Sequence, residues 1–147
     1  MEEKTNLLYQ SVIMKHYRDP KYRRTLSPPA IETNMVSRSC GDKVKLYLLF
    51  DEAGRIRDAS YQGEGCSISI ASASILCSAV IGLKDTEAKE LAAAVIEWLE
   101  DDNETGDRIE SNRLAPDILS LQSVRSFGTR IPCATLAWKS LASVAIL

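Results

Sequence analysis

The chain has 147 residues, 45% of them apolar, which is enough for one domain spanning residues 1–147 with a core that needs no disulfides. A net charge of −2 offers no electrostatic footprint for a phosphate backbone or an anionic bilayer, so neither nucleic acid nor membrane is expected as a partner. The acidic, polar start MEEKTNLLYQ is unlike a secretory leader and no run of about 18 apolar residues follows; a cytoplasmic protein is expected, with its four cysteines as thiols, metal ligands or nucleophiles.

Leu7, Leu8, Val12, Ile13 and Tyr17 recur at helical spacing and predict an amphipathic helix that stops before Pro20. Lys21 to Ser39, with Pro28 and Pro29 and no period, predicts a loop packed over the body. The alternation Val44, Leu46, Leu48, Phe50, a turn at Asp51 to Gly54 and a second strand from Arg55 to Tyr61 predict an antiparallel hairpin, broken by Gln62 to Gly65. Ser67 to Leu83, rich in Ala, Ser and Ile, predicts a buried helix.

A helix over Thr86 to Glu100 turns Leu91, Val95, Trp98 and Leu99 inward, and the polar run Asp101 to Arg113 predicts a solvated loop. Its acids lack the ordered ligand spacing of an EF-hand. Pro116 to Ser126 predicts a helix with Ile118, Leu119 and Leu121 turned in, and Cys133 opens a last helix through Trp138 to Ile146. The fold class is α+β, a small antiparallel sheet packed against several α-helices.

Cys40 precedes Gly41-Asp42 on a turn expected to be exposed, while Cys66 and Cys133 stand at predicted helix starts, where backbone N–H groups favour a thiolate. Ligands 26 and 67 positions apart converge only through the fold, and from spacing alone the signal is weak and small buried cysteines are the favoured reading. Asp42 is either a metal ligand or a turn cap. Cys77 reads as a packed side chain, His16 as a surface or capping residue, and both tryptophans as core.

Three stretches carry a resemblance: Cys40-Gly41-Asp42, the run Gly63-x-Gly65-Cys66-Ser67-Ile68-Ser69-x-Ala71-Ser72-Ala73-Ser74, and Cys133-Ala134-x-Leu136-x-Trp138. Together with the opening helix Tyr9 to Pro20, they resemble the U-type iron–sulfur assembly family, the SufU, IscU and NifU N-terminal-like proteins. Pro132 stands where the IscU branch has histidine, and the segment between Cys66 and Cys133 is longer than in that branch; both features are similar to the SufU branch. The chain departs from the family at Arg38-Ser39, where Asn-Pro is usual, and at Pro132, where the SufU branch more often carries a basic residue.

The resemblance implies a SufE/NifU-like two-layer fold and a zinc-dependent sulfurtransferase. Such a protein takes persulfide sulfur from a SufS-like cysteine desulfurase and passes it to a SufBCD-like cluster-assembly complex. It further implies zinc ligands at Cys40, Asp42, Cys66 and Cys133, with Cys40 the sulfur acceptor, and a docking or site-steadying role for Arg130. Two alternatives stay open: a scaffold that binds iron or a transient iron–sulfur cluster itself, and an inert module with structural zinc.

Overall fold

The structure, a computed structural model, describes residues 2–38, 41–100 and 116–144. The expected loop over Asp101 to Arg113 and the chain end beyond Val144 lie outside the described residues.

Helix α1, Glu2–Arg18, begins earlier than the apolar spacing indicates and ends two residues before Pro20. It buries Ile13 and His16, one helical turn apart, against the rest of the molecule, while Leu8 is 67% and Tyr17 37% exposed, so the buried stripe is narrower than predicted. The expected loop after α1 contains two short strands, β1 (Ile31–Glu32) and β2 (Met35–Val36). Both pair antiparallel with β3 (Lys43–Phe50), Ile31 opposite Leu48 and Met35 opposite Val44. Between them Thr33 keeps the ladder continuous, its N–H donating to the Leu46 carbonyl at 2.9 Å and its hydroxyl accepting from the Leu46 N–H at 3.3 Å. The same hydroxyl bonds to Ser140.

The other edge of β3 pairs with β4 (Ile56–Glu64), Leu46 opposite Tyr61 and Val44 opposite Gly63. At the turn Asp51 Oδ1 accepts from the N–H groups of Ala53 and Arg55, both at 2.9 Å. β4 runs three residues past its expected end at Tyr61. Gly63 does not break the strand: a Cβ there would meet the Lys43 carbonyl at 3.1 Å and Ile70 Cδ1 at 3.2 Å, so glycine lets the next helix pack onto the sheet. Arg24 donates twice to Asp58, at 3.0 and 2.8 Å, and fastens the post-α1 segment to β4.

Helix α2, Ser67–Val80, is the centre of the molecule, packed by α1, by β4 and by the last helix, and every residue from Ser69 to Cys77 is buried. Helix α3, Asp85–Glu100, turns in Ala88, Ala92, Val95, Trp98 and Leu99. After it, the single helix expected over Pro116 to Ser126 is one α-turn, α4 (Pro116–Leu119), followed by 3₁₀ turns over Ser120–Ser126 and Gly128–Arg130. Serine hydroxyls explain the tighter winding: Ser120 donates to the Asp117 carbonyl and Ser123 to the Ser120 carbonyl, each three residues back. Ile118 and Leu121 are nonetheless fully buried.

The last helix, α5 (Ile131–Ala142), starts two residues before Cys133, with Pro132 in the first turn, where a missing N–H costs nothing. The core lies between the sheet and these helices, around Trp138, Tyr61, Leu46, Leu48 and Ile75. Among the described residues no helix is long and apolar enough to cross a membrane.

Candidate metal centre

The loop before β3 is closed by the Gly41 N–H on the Ser37 carbonyl and the Ser37 N–H on the Asp42 carbonyl, each at 2.8 Å, with Gly41 at φ +75°. This turns the Asp42 side chain inward. Asp42 is 8% exposed, not on an exposed turn as expected, because its carboxylate lies against the start of α2. Oδ2 accepts from the Ser69 hydroxyl at 2.5 Å and from the Cys66 N–H at 3.3 Å. Gly65 makes this possible, since a Cβ at that position would lie 2.4 Å from Asp42 Cγ.

Cys66 is the N-cap of α2, half-buried, with its Sγ 3.7 Å from the Ser69 hydroxyl. Cys133, 1% exposed, is the third residue of α5, so both cysteines stand at the N-terminal, positive end of a helix. A carboxylate oxygen of Asp42 and the Sγ atoms of Cys66 and Cys133 all lie within 4.8 Å of one another. Cys40 lies outside the described residues. Arg130 is exposed just before α5.

Zinc bonds of about 2.0 Å to oxygen and 2.3 Å to sulfur, arranged tetrahedrally, hold their donor atoms roughly 3.5–3.8 Å apart. The three donors, within 4.8 Å of one another, stand near that spacing, and two soft sulfurs with one carboxylate suit zinc or iron. The donor set fits such a metal.

Two serines in α2, quoted above only as parts of the motif, have partners that the sequence does not indicate. Ser69 touches the site directly. Ser72, fully buried, donates to the Ala134 carbonyl at 2.6 Å and accepts from Trp138 Nε1 at 2.9 Å, bridging the two helices that carry Cys66 and Cys133. The available signal is the placement of serines in a chargeless helix, because a buried hydroxyl needs a partner.

Two other candidates stand apart from the site. His16, expected at the surface, is 9% exposed; its Nδ1 bonds to Ser74 Oγ at 2.8 Å and its Nε2 to Asp117 Oδ2 at 2.6 Å. Serine, histidine and aspartate have the composition of a nucleophilic triad, but Ser74 is 1% exposed and out of reach of a substrate. The group works as a fastening of α1 to α2 and α4. Cys77 is fully buried, and burial pushes its thiol well above the ordinary range, which keeps it protonated and inert.

Residues 8–134 match the family model of the NifU-like N-terminal domain. The chain is 39% identical over 134 residues to a Bacillus subtilis protein named zinc-dependent sulfurtransferase SufU, aligning 91% of this chain and 86% of that one. It is 34% identical over 139 residues to a Streptococcus pyogenes protein named iron–sulfur cluster assembly scaffold protein IscU, with 94% and 82% aligned. The crystal structure of a Fervidobacterium islandicum protein, described as an iron–sulfur cluster assembly scaffold for the SUF system, superposes with a TM-score of 0.77. That match has 30% identity and covers 88% of this chain and 90% of the other.

Proposed function

Because the chain belongs to the NifU-like N-terminal domain family of iron–sulfur cluster assembly proteins, we propose that it acts there as a zinc-dependent sulfurtransferase. In this reading residues 1–147 form one cytoplasmic domain that accepts persulfide sulfur from a SufS-like cysteine desulfurase and passes it to a SufBCD-like cluster-assembly complex. The observation that carries it is the convergence of Asp42, Cys66 and Cys133 within 4.8 Å from three separate parts of the chain. Those residues and Cys40 are the proposed ligands, and zinc, when bound, holds thiolates deprotonated near neutral pH.

The chain's own groups divide the work. The N-terminal ends of α2 and α5, where Cys66 and Cys133 stand, offset part of the charge of three thiolates and a carboxylate. Burial of Cys133 and Asp42 limits the access of water and oxidants. Cys40 is the proposed acceptor. Its thiolate attacks the outer sulfur of the desulfurase persulfide, a new S–S bond forms to Cys40, the old one breaks, and the desulfurase thiolate leaves; no external electrons are needed.

The same donors accommodate iron, and the relative named IscU supports a second reading in which the chain assembles a transient cluster. Anaerobic purification distinguishes the two by metal analysis and visible absorption. About one colourless zinc per chain, with a desulfurase stimulated by the wild type and not by Cys40→Ala, supports sulfur transfer. A brown protein with stoichiometric iron and sulfide supports the scaffold, and full stimulation by Cys40→Ala removes Cys40 as acceptor.

A further inference from the structure

A serine inside an α-helix ordinarily turns its hydroxyl back to a carbonyl of the preceding turn, as Ser78 does to the Ile75 carbonyl at 2.7 Å. Ser69 does otherwise. Although 1% exposed and in the first turn of α2, it aims its hydroxyl out of the helix, across to the carboxylate of a residue 27 positions earlier. The 2.5 Å contact to Asp42 Oδ2 is shorter than the 3.3 Å contact from the Cys66 N–H to the same atom. The same hydroxyl is 3.7 Å from Cys66 Sγ, so it neighbours two of the converging donors. Gly65 contributes only space.

A carboxylate on a short side chain has two torsions, and one buried oxygen held by two donors from the same helix turn fixes both. We propose that Ser69 is a positioning residue of the metal centre, holding the Asp42 carboxylate toward the sulfurs of Cys66 and Cys133 so that it meets an incoming metal without searching. This rests on the reading of Asp42 as a ligand. Ser69 donates to that carboxylate from outside the coordination sphere, and hydroxyl and amide donors to ligating carboxylates generally change metal affinity by about 10- to 100-fold when removed.

The test is a thermodynamic cycle in zinc affinity, using wild type, Ser69→Ala, Asp42→Ala and the double variant against a chromophoric chelator, with each metal-free protein melted alongside. Loss of one buried oxygen leaves the helix intact. Ser69→Ala is expected to weaken zinc binding by about tenfold or more in the wild-type background and to change nothing further once Asp42 is alanine. A hydroxyl that served only to pack α2 would weaken binding equally in both backgrounds, and that result overturns the proposal. Unchanged affinity in Ser69→Ala, beside a wild type that binds zinc, overturns it alone. A wild type that binds no zinc overturns it together with the zinc reading of the site.

Discussion

Replacing Gly65 by alanine asks whether the close approach of Asp42 is what metal binding requires. The added Cβ would stand 2.4 Å from Asp42 Cγ, 2.7 Å from Oδ1 and 2.8 Å from Cβ, whereas unstrained carbon contacts begin at about 3.5 Å. The carboxyl carbon must therefore retreat by the difference, about 1 Å. That is roughly five times the 0.2 Å or so within which metal–ligand distances are held. Its retreat also pulls Oδ2 from the Ser69 hydroxyl. We expect zinc affinity to fall by at least about tenfold and stability by about 1–3 kcal/mol. Gly82→Ala is the control: φ is +96° with nothing within 4 Å of the new Cβ, so it should cost about 1 kcal/mol or more through backbone strain and leave zinc binding alone. Chelator competition and thermal melts read both quantities. Wild-type zinc affinity in Gly65→Ala would refute the reasoning.

His16→Ala removes the ring that joins Ser74 and Asp117 and leaves a buried hydroxyl without that partner; the urea midpoint should fall by the equivalent of about 2–3 kcal/mol at unchanged slope. An unmoved midpoint would mean that α1 is held by Ile13 and its neighbours alone. Cys77 should resist iodoacetamide in the native protein at pH 8 and react once urea unfolds it, measured by intact mass, because burial raises its thiol above the ordinary range. The folded form then holds its proton longer than the unfolded form. Stability from this group is complete below the ordinary value of about 9.0 and declines as pH rises beyond it, a decline that Cys77→Ala should lack.

The β3–β4 hairpin, α2 and α3 are legible in the sequence because their periods are strong and their breakers local. β1 and β2, two residues each, carry no period; they exist because β3 offers them an edge and because Thr33 spans the gap between them. Asp42 looks exposed in a turn beside glycine, whereas its carboxylate accepts from Ser69 and Cys66, more than twenty positions later. His16 misleads for the same reason, its partners lying 58 and 101 positions away. Tyr17 shares the apolar spacing of α1 but nothing packs closely enough to bury it. At the site, the motif points to the candidate donors Asp42, Cys66 and Cys133, whereas the partners of Ser69 and Ser72 in the same motif depend on long-range geometry.

The Ser72 bridge has a consequence for how such a site is used. Trp138 Nε1–H, the Ser72 hydroxyl and the Ala134 carbonyl form a chain of two hydrogen bonds in the interior, and neither bond involves a metal donor. The spacing of the helices under Cys66 and Cys133 is thereby an interior property, unlike a zinc finger, where the metal itself orders the backbone. Exchange of a metal at a site framed in this way is expected to proceed by side-chain rotation, without unfolding of α2 or α5.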